Sequence, residues 1–289
     1  MVDRIYSGKA PQTKLPKGAI DTQMHAYLPS FPALPGGPGL PPEPLPTPDD
    51  YLETMKWLGI DRVVATQGNA HQFDNSCLLA CLKAFGNKAK GVAVVTGETS
   101  DAEMESLAAV GVVGARIMDI SSGAMGLDRL EEVDDRAAAF GWMMAVQFDG
   151  SNIVDHFDRL AALKSRWVLD HHGKFFAGVT PDSSQIAALK RLIDKGKTWF
   201  KFAGCYESSR VGGPDYADIA AVARDIAAYA PERIIWGTNW PHNAAKRAED
   251  YPDDAALLDT VLGWFPDDKG RTLALVDNPE TLFGFERAR

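Results

Sequence analysis

Eight short apolar runs, separated by amphipathic stretches, constrain the fold of this chain more than any other feature of its sequence. They are "AIDTQMHAY" (19–27), "RVVATQ" (62–67), "KGVAVVT" (90–96), "VVGARIM" (112–118), "WMMAVQF" (142–148), "RWVLDHH" (166–172), "TWFKFAG" (198–204) and "RIIWGTN" (233–239). Each is rich in β-branched or aromatic residues and too continuously apolar to leave one face in water, as parallel strands covered on both sides are. Helix signals fill the intervals. In "TPDDYLETMKWLG" Thr47 stands as N-cap, Pro48 at the first helical position and Gly59 as the stop. "SDAEMESLAAVG" carries Ser100 with Glu103 three residues on, a capping box, and ends at Gly111. "TPDSSQIAALKRLIDKG" and "DYADIAAVARDIAAYAP" follow the same grammar. Eight strand-then-helix units predict an α/β fold, a single (β/α)8 TIM-type barrel. An open dinucleotide-binding sheet is disfavoured because no glycine-rich turn follows the first strand. The 289 residues suit a barrel, which needs ~250.

The barrel is expected over residues 19–289, behind an N-terminal extension over 1–18. The segment "LPSFPALPGGPGLPPEPLPTP" (28–48) is too rich in Pro and Gly for regular structure. It follows the first strand, at the rim where barrel enzymes work, and is expected to cover one side of a pocket as a rigid loop. The formal charge of −9 leaves no basic excess for phosphates, which argues against nucleic acid or an anionic membrane as partner. An anionic substrate has to be held by a few local Arg, Lys or His side chains. The first twenty residues lack the apolar core of a secretion signal, and no 18-residue apolar run exists, so a cytoplasmic protein is expected. Cys77, Cys81 and Cys205 make no disulfide framework. Cys77 and Cys81, four apart on an apolar helical pattern, read as buried thiols.

Active-site side chains of such a barrel sit at the C-terminal strand ends and in the loops beyond them. Those positions hold Asp21, Gln23 and His25; Gln67, Asn69 and His71; Arg116; Gln147; His171, His172 and Lys174; Lys201; and Asn239 with His242. Zinc in a hydrolase wants about three His or carboxylate ligands. An HxH pair on the first strand would supply two, but Gln23-x-His25 stands there, and the last strand's turn offers Asn239. His25 and His171 alone are too few, so no metal and no other cofactor is expected. Arg116 is a charge inside an apolar strand, costly to bury unpaired, and reads as an anion holder. Lys201 reads equally as an interior charge paired with Asp21 or Asp170. His172 points to the opposite face from His171. His71 and His242 lie past their strands and fit either a loop or a site role, as do Glu207 and Arg210 in "CYESSR".

Together "DTQMH", "LDHHGK", "WFKFAG", "IIWGTNWPH" and the terminal "DNPETLFGF" resemble the amidohydrolase superfamily, in its amidohydrolase-2 group, from Ala19 to Phe285. Within it, "TQGNAHQFDN" followed by "GARIMD" resembles the metal-independent 2-pyrone-4,6-dicarboxylate lactonases. The resemblance implies an amidohydrolase-like barrel acting on a small lactone. His25 and His171 would donate to the carbonyl oxygen, and Arg116 would bind a free carboxylate. Asn239 and Gln147 would contact substrate hydroxyls, and Gln23, Asn69 and His71 would complete the pocket. The departures matter more. Those lactonases have a His where Gln23 stands, an Asp where Asn239 stands, an Arg where Ser122 stands and a Tyr where Gln147 stands.

An amide cannot take a proton at neutral pH, so the help that a general base gives to water, about 10²–10⁴ in rate, is missing at Asn239. A hydroxyl on the same molecule needs less help, because well-oriented intramolecular attack reaches effective molarities of about 10⁵–10⁸ M. Isomerisation of a lactone that carries its own hydroxyl is therefore expected over hydrolysis; that the lactone is that of a sugar diacid, with its ring size and stereochemistry, is what the resemblance alone implies. The alternative is a lactonase in which His71 or His242 activates water. Nothing in the sequence signals an oligomeric state.

Overall fold

The computed structural model describes residues 3–288. Eight strands form one parallel sheet in chain order: β1 (Ile20–Met24), β2 (Arg62–Thr66), β3 (Ala89–Ala93), β4 (Val112–Met118), β5 (Met143–Gln147), β6 (Trp167–Leu169), β7 (Thr198–Phe202) and β8 (Ile234–Trp236). All eight coincide with the apolar runs, and helices connect them. Thr47 caps the helix Pro48–Leu58 in a full capping box with Asp50, and Gly59 ends it at φ 82°. Ser100 makes half of its expected box, accepting from the Glu103 backbone, and that helix runs Asp101–Ala109.

The last seam closes without a regular ladder. The Asn239 amide donates to the Gln23 carbonyl and the His25 amide to the Trp240 carbonyl, both at 2.8 Å. Asp21 clasps the seam from within: its carboxylate accepts from the backbone of Gln23 and Thr238 and from the hydroxyls of Tyr51 and Thr238. Burial raises its pKa to about 6 against the pull of those donors. At this seam β1 and the turn after β8 become neighbours, which brings His25 and Asn239 to the same end of the barrel.

Side chains alternate along each strand. On the inner face Met143, Val168, Trp199 and Ile235 fill the lower barrel, and Leu282, Phe283 and Phe285 of the C-terminal segment pack with them. Further along the same strands the inner positions become polar: Gln147, Asp170 and Lys201, with Arg116 beside them, all buried. Lys201 pairs with Asp170 at 2.6 Å, not with Asp21. The outer faces pack on the helices, and Cys77, Cys81 and Cys205 are free, buried thiols there. His172 also leaves the pocket. Its ring stacks on Phe202 at 5.0 Å and meets Phe200 and Trp264 edge-on.

The Pro-rich stretch has no helix or strand before Pro48. Arg4 of the N-terminal segment donates to the Pro42 and Pro44 carbonyls and to the Tyr251 hydroxyl, strapping that loop to the turn after β8. Among the described residues no helix is long and apolar enough to cross a membrane.

His172 makes an acid-stability prediction. Burial holds its imidazole neutral down to about 3, against 6.5 for a free ring. The unfolded chain takes up a proton below 6.5 that the folded one refuses, so this contribution is intact above pH 6.5 and is lost as pH falls toward 3. Replacing the ring by an apolar one, His172→Phe, should remove up to about 1.4 kcal/mol per pH unit of acid sensitivity between pH 6 and 4. Urea titrations at several pH values measure it; an unchanged slope would contradict a neutral buried ring.

Candidate active site

At the C-terminal end of the barrel lies a cavity of about 210 Å³, lined by His25, Asn69, Arg116, Gln147, His171 and Asn239 from the expected set. Pro38, Gly39 and Pro41 of the Pro-rich loop form part of its wall, and Glu207 joins the floor residues. Gln23 sits one layer below His25, and His71 and His242 are outside the lining. His71 is turned back toward the loop, its Nδ1 facing the Pro32 carbonyl at 3.1 Å and its ring against Tyr27. The expectation that it contacts substrate does not match this placement; it supports the wall instead. Asn69 reaches the cavity with its amide already used, donating to Ser122 and accepting from Ala124. It ties two rim loops together.

Two hydrogen-bond chains converge on the cavity. In the first, Asp170 pairs with Lys201, whose ammonium donates to Gln23 Oε1 at 2.8 Å. An ammonium only donates, so Gln23 must turn its NH₂ toward His25 Nε2, 3.2 Å away. His25 Nδ1 faces the Thr66 carbonyl at 2.8 Å, and a carbonyl only accepts. The ring hydrogen is therefore on Nδ1, and Nε2 carries the lone pair. Burial, then the Arg116 charge, pull the His25 pKa down to about 3, so the ring is neutral. The expected carbonyl donor is, in this geometry, an acceptor.

The second chain runs the other way. Glu207 holds Lys174 at 2.6 Å through Oε2 and accepts from Asn239 Nδ2 at 2.9 Å through Oε1. Asn239 Nδ2 also donates to the Tyr206 hydroxyl at 2.8 Å, leaving Oδ1 toward His171 Nε2 at 3.1 Å. His171 therefore carries its hydrogen on Nε2. Burial, then Lys174, lower its pKa to about 4. Tyr206 passes its own hydrogen to His242 Nδ1 at 2.8 Å, and His242 Nε2 lies 3.1 Å from Asp254. His242 is thus a buried link in the support of Asn239.

Backbone strain concentrates here. His171 and Asn239 have φ of 50° and 62°, left-handed conformations that cost about 1–3 kcal/mol and persist only where surroundings impose them. Gly204 makes room: a Cβ there would stand 2.7 Å from Asn239 Nδ2 and 3.2 Å from His171 Cδ2.

Arg116 is buried, and among the described residues no carboxylate lies within ion-pair distance of it. Nη1 donates to the Gln67 carbonyl and Nη2 to Gln147 Oε1, while Nε has no partner. With its oxygen taken, Gln147 has amide hydrogens to offer the cavity. As to a metal, among the described residues no group of three or more His, Cys, Asp or Glu is placed to hold one. Among the described residues His25 and His171 are the only imidazoles lining the cavity, and the His171 Nε2–H faces an amide oxygen, so the donor set does not fit a metal centre.

Glu207, weighed from the sequence between a loop and a site role, lies at the cavity, and Tyr206 beside it was not in the expected set. They stand in a four-residue helix, Cys205–Ser208, that follows β7. Only the position of the segment past the seventh strand pointed to Glu207, and nothing in the sequence pointed to Tyr206. Arg210, weighed beside Glu207, bonds the Ala177 carbonyl instead and stays out of the cavity.

Residues 20–285 match the amidohydrolase family. The chain belongs to that family. It is 58% identical to the D-galactarolactone isomerase of Agrobacterium fabrum, over 97% of this chain and 96% of that one. Identity to the 2-pyrone-4,6-dicarboxylate hydrolase of Comamonas testosteroni is 32%, over 98% of this chain and 95% of the other. An apo crystal structure of an Agrobacterium tumefaciens protein superposes with a TM-score of 0.97 at 57% identity, covering 99% of this chain and all of that one.

A buried guanidinium without a carboxylate makes an anion site. A small dicarboxylate that enters the cavity should raise the unfolding free energy by about 2.7 kcal/mol at a hundred times its Kd. Arg116→Met should weaken that binding at least tenfold, since a hydrogen bond to a charged group contributes about 1.5–3 kcal/mol. Thermal unfolding with increasing anion measures both; equal stabilisation of the two proteins would place the anion elsewhere.

Proposed function

We propose that this protein is a metal-independent lactone isomerase that converts D-galactaro-1,5-lactone to D-galactaro-1,4-lactone by intramolecular acyl transfer, in the cytoplasm and in galacturonate catabolism. The name of the 58% identical relative supports the substrate. The observation that carries the reaction type is Asn239, an amide locked in place where a hydrolase needs a base. Glu207 is the nearest carboxylate, but both its oxygens are engaged, and chiefly Lys174 keeps it ionised, with a pKa of about 2 against the opposing effect of burial. It orients Asn239.

In this reading Arg116 holds the free carboxylate of the substrate, its planar fork matching two oxygens. Gln147 and Asn239 hold sugar hydroxyls. The His171 Nε2–H, donated to Asn239 Oδ1 in the ligand-free site, turns to the lactone carbonyl oxygen in this reading and stabilises the oxyanion as it forms. The C4 hydroxyl attacks C1, the tetrahedral intermediate collapses, and the C5 oxygen leaves. The bases of this site are weak, which suffices for a hydroxyl already held against the carbonyl and fails for water.

A lactonase is the alternative, since the relative at 32% identity is named a hydrolase. The two histidines that could replace the base, His71 and His242, are turned away from the cavity. That favours isomerisation.

Asn239→Asp tests the missing base. The new carboxylate would lie against Glu207, and two neighbouring carboxylates raise the pKa of one of them toward a useful range. The variant should gain lactone hydrolysis, by about 10²-fold or more, with oxygen from labelled water appearing in galactarate. Lower isomerisation with no label incorporated would contradict the proposal.

A further inference from the structure

We propose that His25 alone carries the proton of the reaction, taking it from the attacking hydroxyl and returning it to the leaving ring oxygen, while His171 only donates a hydrogen bond. This rests on the isomerase reading above and specifies its chemistry. The two hydrogen-bond chains decide it. Each is anchored on groups that can act in one sense only, so each fixes the polarity of the histidine at its end.

For His25 the anchors are the Lys201 ammonium, which can only donate to Gln23, and the Thr66 carbonyl, which can only accept from Nδ1. Turning Gln23 over would set its NH₂ against the ammonium. Nε2 is left as the one ring nitrogen with a lone pair, contacted by the Gln23 amide at 3.2 Å. That contact is long for N–H···N, and a substrate hydroxyl can replace it. For His171 the anchor is Glu207, which can only accept from Asn239. Turning Asn239 over would set Oδ1 against a carboxylate. The chain then reads in one direction, His171 to Asn239 to Tyr206 to His242 to Asp254, each donating to the next.

A neutral imidazole with its hydrogen on Nε2 can share that hydrogen but cannot give it away, because the product would be an imidazolate. The Asp170 carboxylate faces His171 Nδ1 at 3.9 Å, too far for a hydrogen bond, so nothing holds a second hydrogen on this ring and His171 is excluded as the acid. The proton balance closes on His25. As the attacking oxygen bonds to C1, its hydrogen passes to Nε2 and the carbonyl π pair moves onto oxygen, beside the His171 N–H. As the carbonyl re-forms, the bond from C1 to the C5 oxygen breaks, and that oxygen takes the hydrogen back from Nε2. Both oxygens are bonded to the same tetrahedral carbon, so one nitrogen reaches both. Solvent supplies nothing and receives nothing. Gln23, through Lys201, is the positioning residue that keeps the lone pair on Nε2.

The first test needs no substrate. Nitrogen-15 NMR of the histidine rings in the ligand-free protein should show His25 bare at Nε2 and His171 protonated at Nε2. A hydrogen on His25 Nε2 would overturn the shuttle. The second test uses amide replacements on D-galactaro-1,5-lactone. Glutamine can donate a hydrogen bond but cannot accept and return a proton. His25→Gln should slow isomerisation by about 10²–10⁴-fold, and His171→Gln by no more than about tenfold. Equal large losses would overturn the division. Gln23→Glu is nearly isosteric and should draw a second hydrogen onto His25, visible by nitrogen-15 NMR, with a loss matching that of His25→Gln; full activity with a doubly protonated ring would overturn it. No turnover by the wild-type protein would overturn the isomerase reading and the shuttle with it, whereas turnover with His25 protonated at Nε2 overturns the shuttle alone.

Discussion

One amide that cannot turn over organises this site. Asn239 donates to Glu207 and Tyr206 with its nitrogen and accepts from His171 with its oxygen. Reversing it would press an amide oxygen onto a carboxylate in a partly buried place, where unpaired polar contacts cost the most. The backbone agrees with the side chain: Asn239 holds a left-handed φ that Asn tolerates better than most residues. An aspartate in the same bonds would meet Glu207 as a second negative charge. The same amide, which cannot act as a base, thus also sets the direction of the hydrogen bonds around it.

The second organising constraint is buried charge. Lys201 and Asp170 sit inside the barrel as an ion pair, an arrangement that contributes little net stability but is costly to break once formed. Here the pair holds Gln23, and through it the unprotonated side of His25. Arg116, with no carboxylate within ion-pair distance among the described residues, lines the cavity with Nη1 on the Gln67 carbonyl and Nη2 on Gln147 Oε1. The lower barrel has no such tension, being filled by Met143, Val168, Trp199 and Ile235. Polar residues appear only further along the strands, where the site begins.

The fold was legible because parallel strands buried on both faces leave continuous apolar runs, and all eight were readable, as was the Thr47 cap. His25, Arg116, Gln147, His171 and Asn239 reach the cavity because strand ends place them there, whatever the loops do. What the strands do not place was harder. His71 ends a single 3-10 turn, Asn69–His71, and turns its ring to the Pro32 carbonyl, and Glu207 comes in on a one-turn helix with no periodic signal. Hydrogen-bond direction was not legible at all. The donor role expected of His25 became an acceptor role only once Lys201, more than 170 residues away in sequence, was seen to fix Gln23.

The central claim is that the acyl group is captured by the substrate's own hydroxyl. Proton NMR of D-galactaro-1,5-lactone with chelator-treated protein, beside the uncatalysed reaction, tests it most directly. Accelerated appearance of D-galactaro-1,4-lactone before any open galactarate is the expected result. Direct formation of galactarate, with the 1,4-lactone no faster than in the uncatalysed sample, would contradict it.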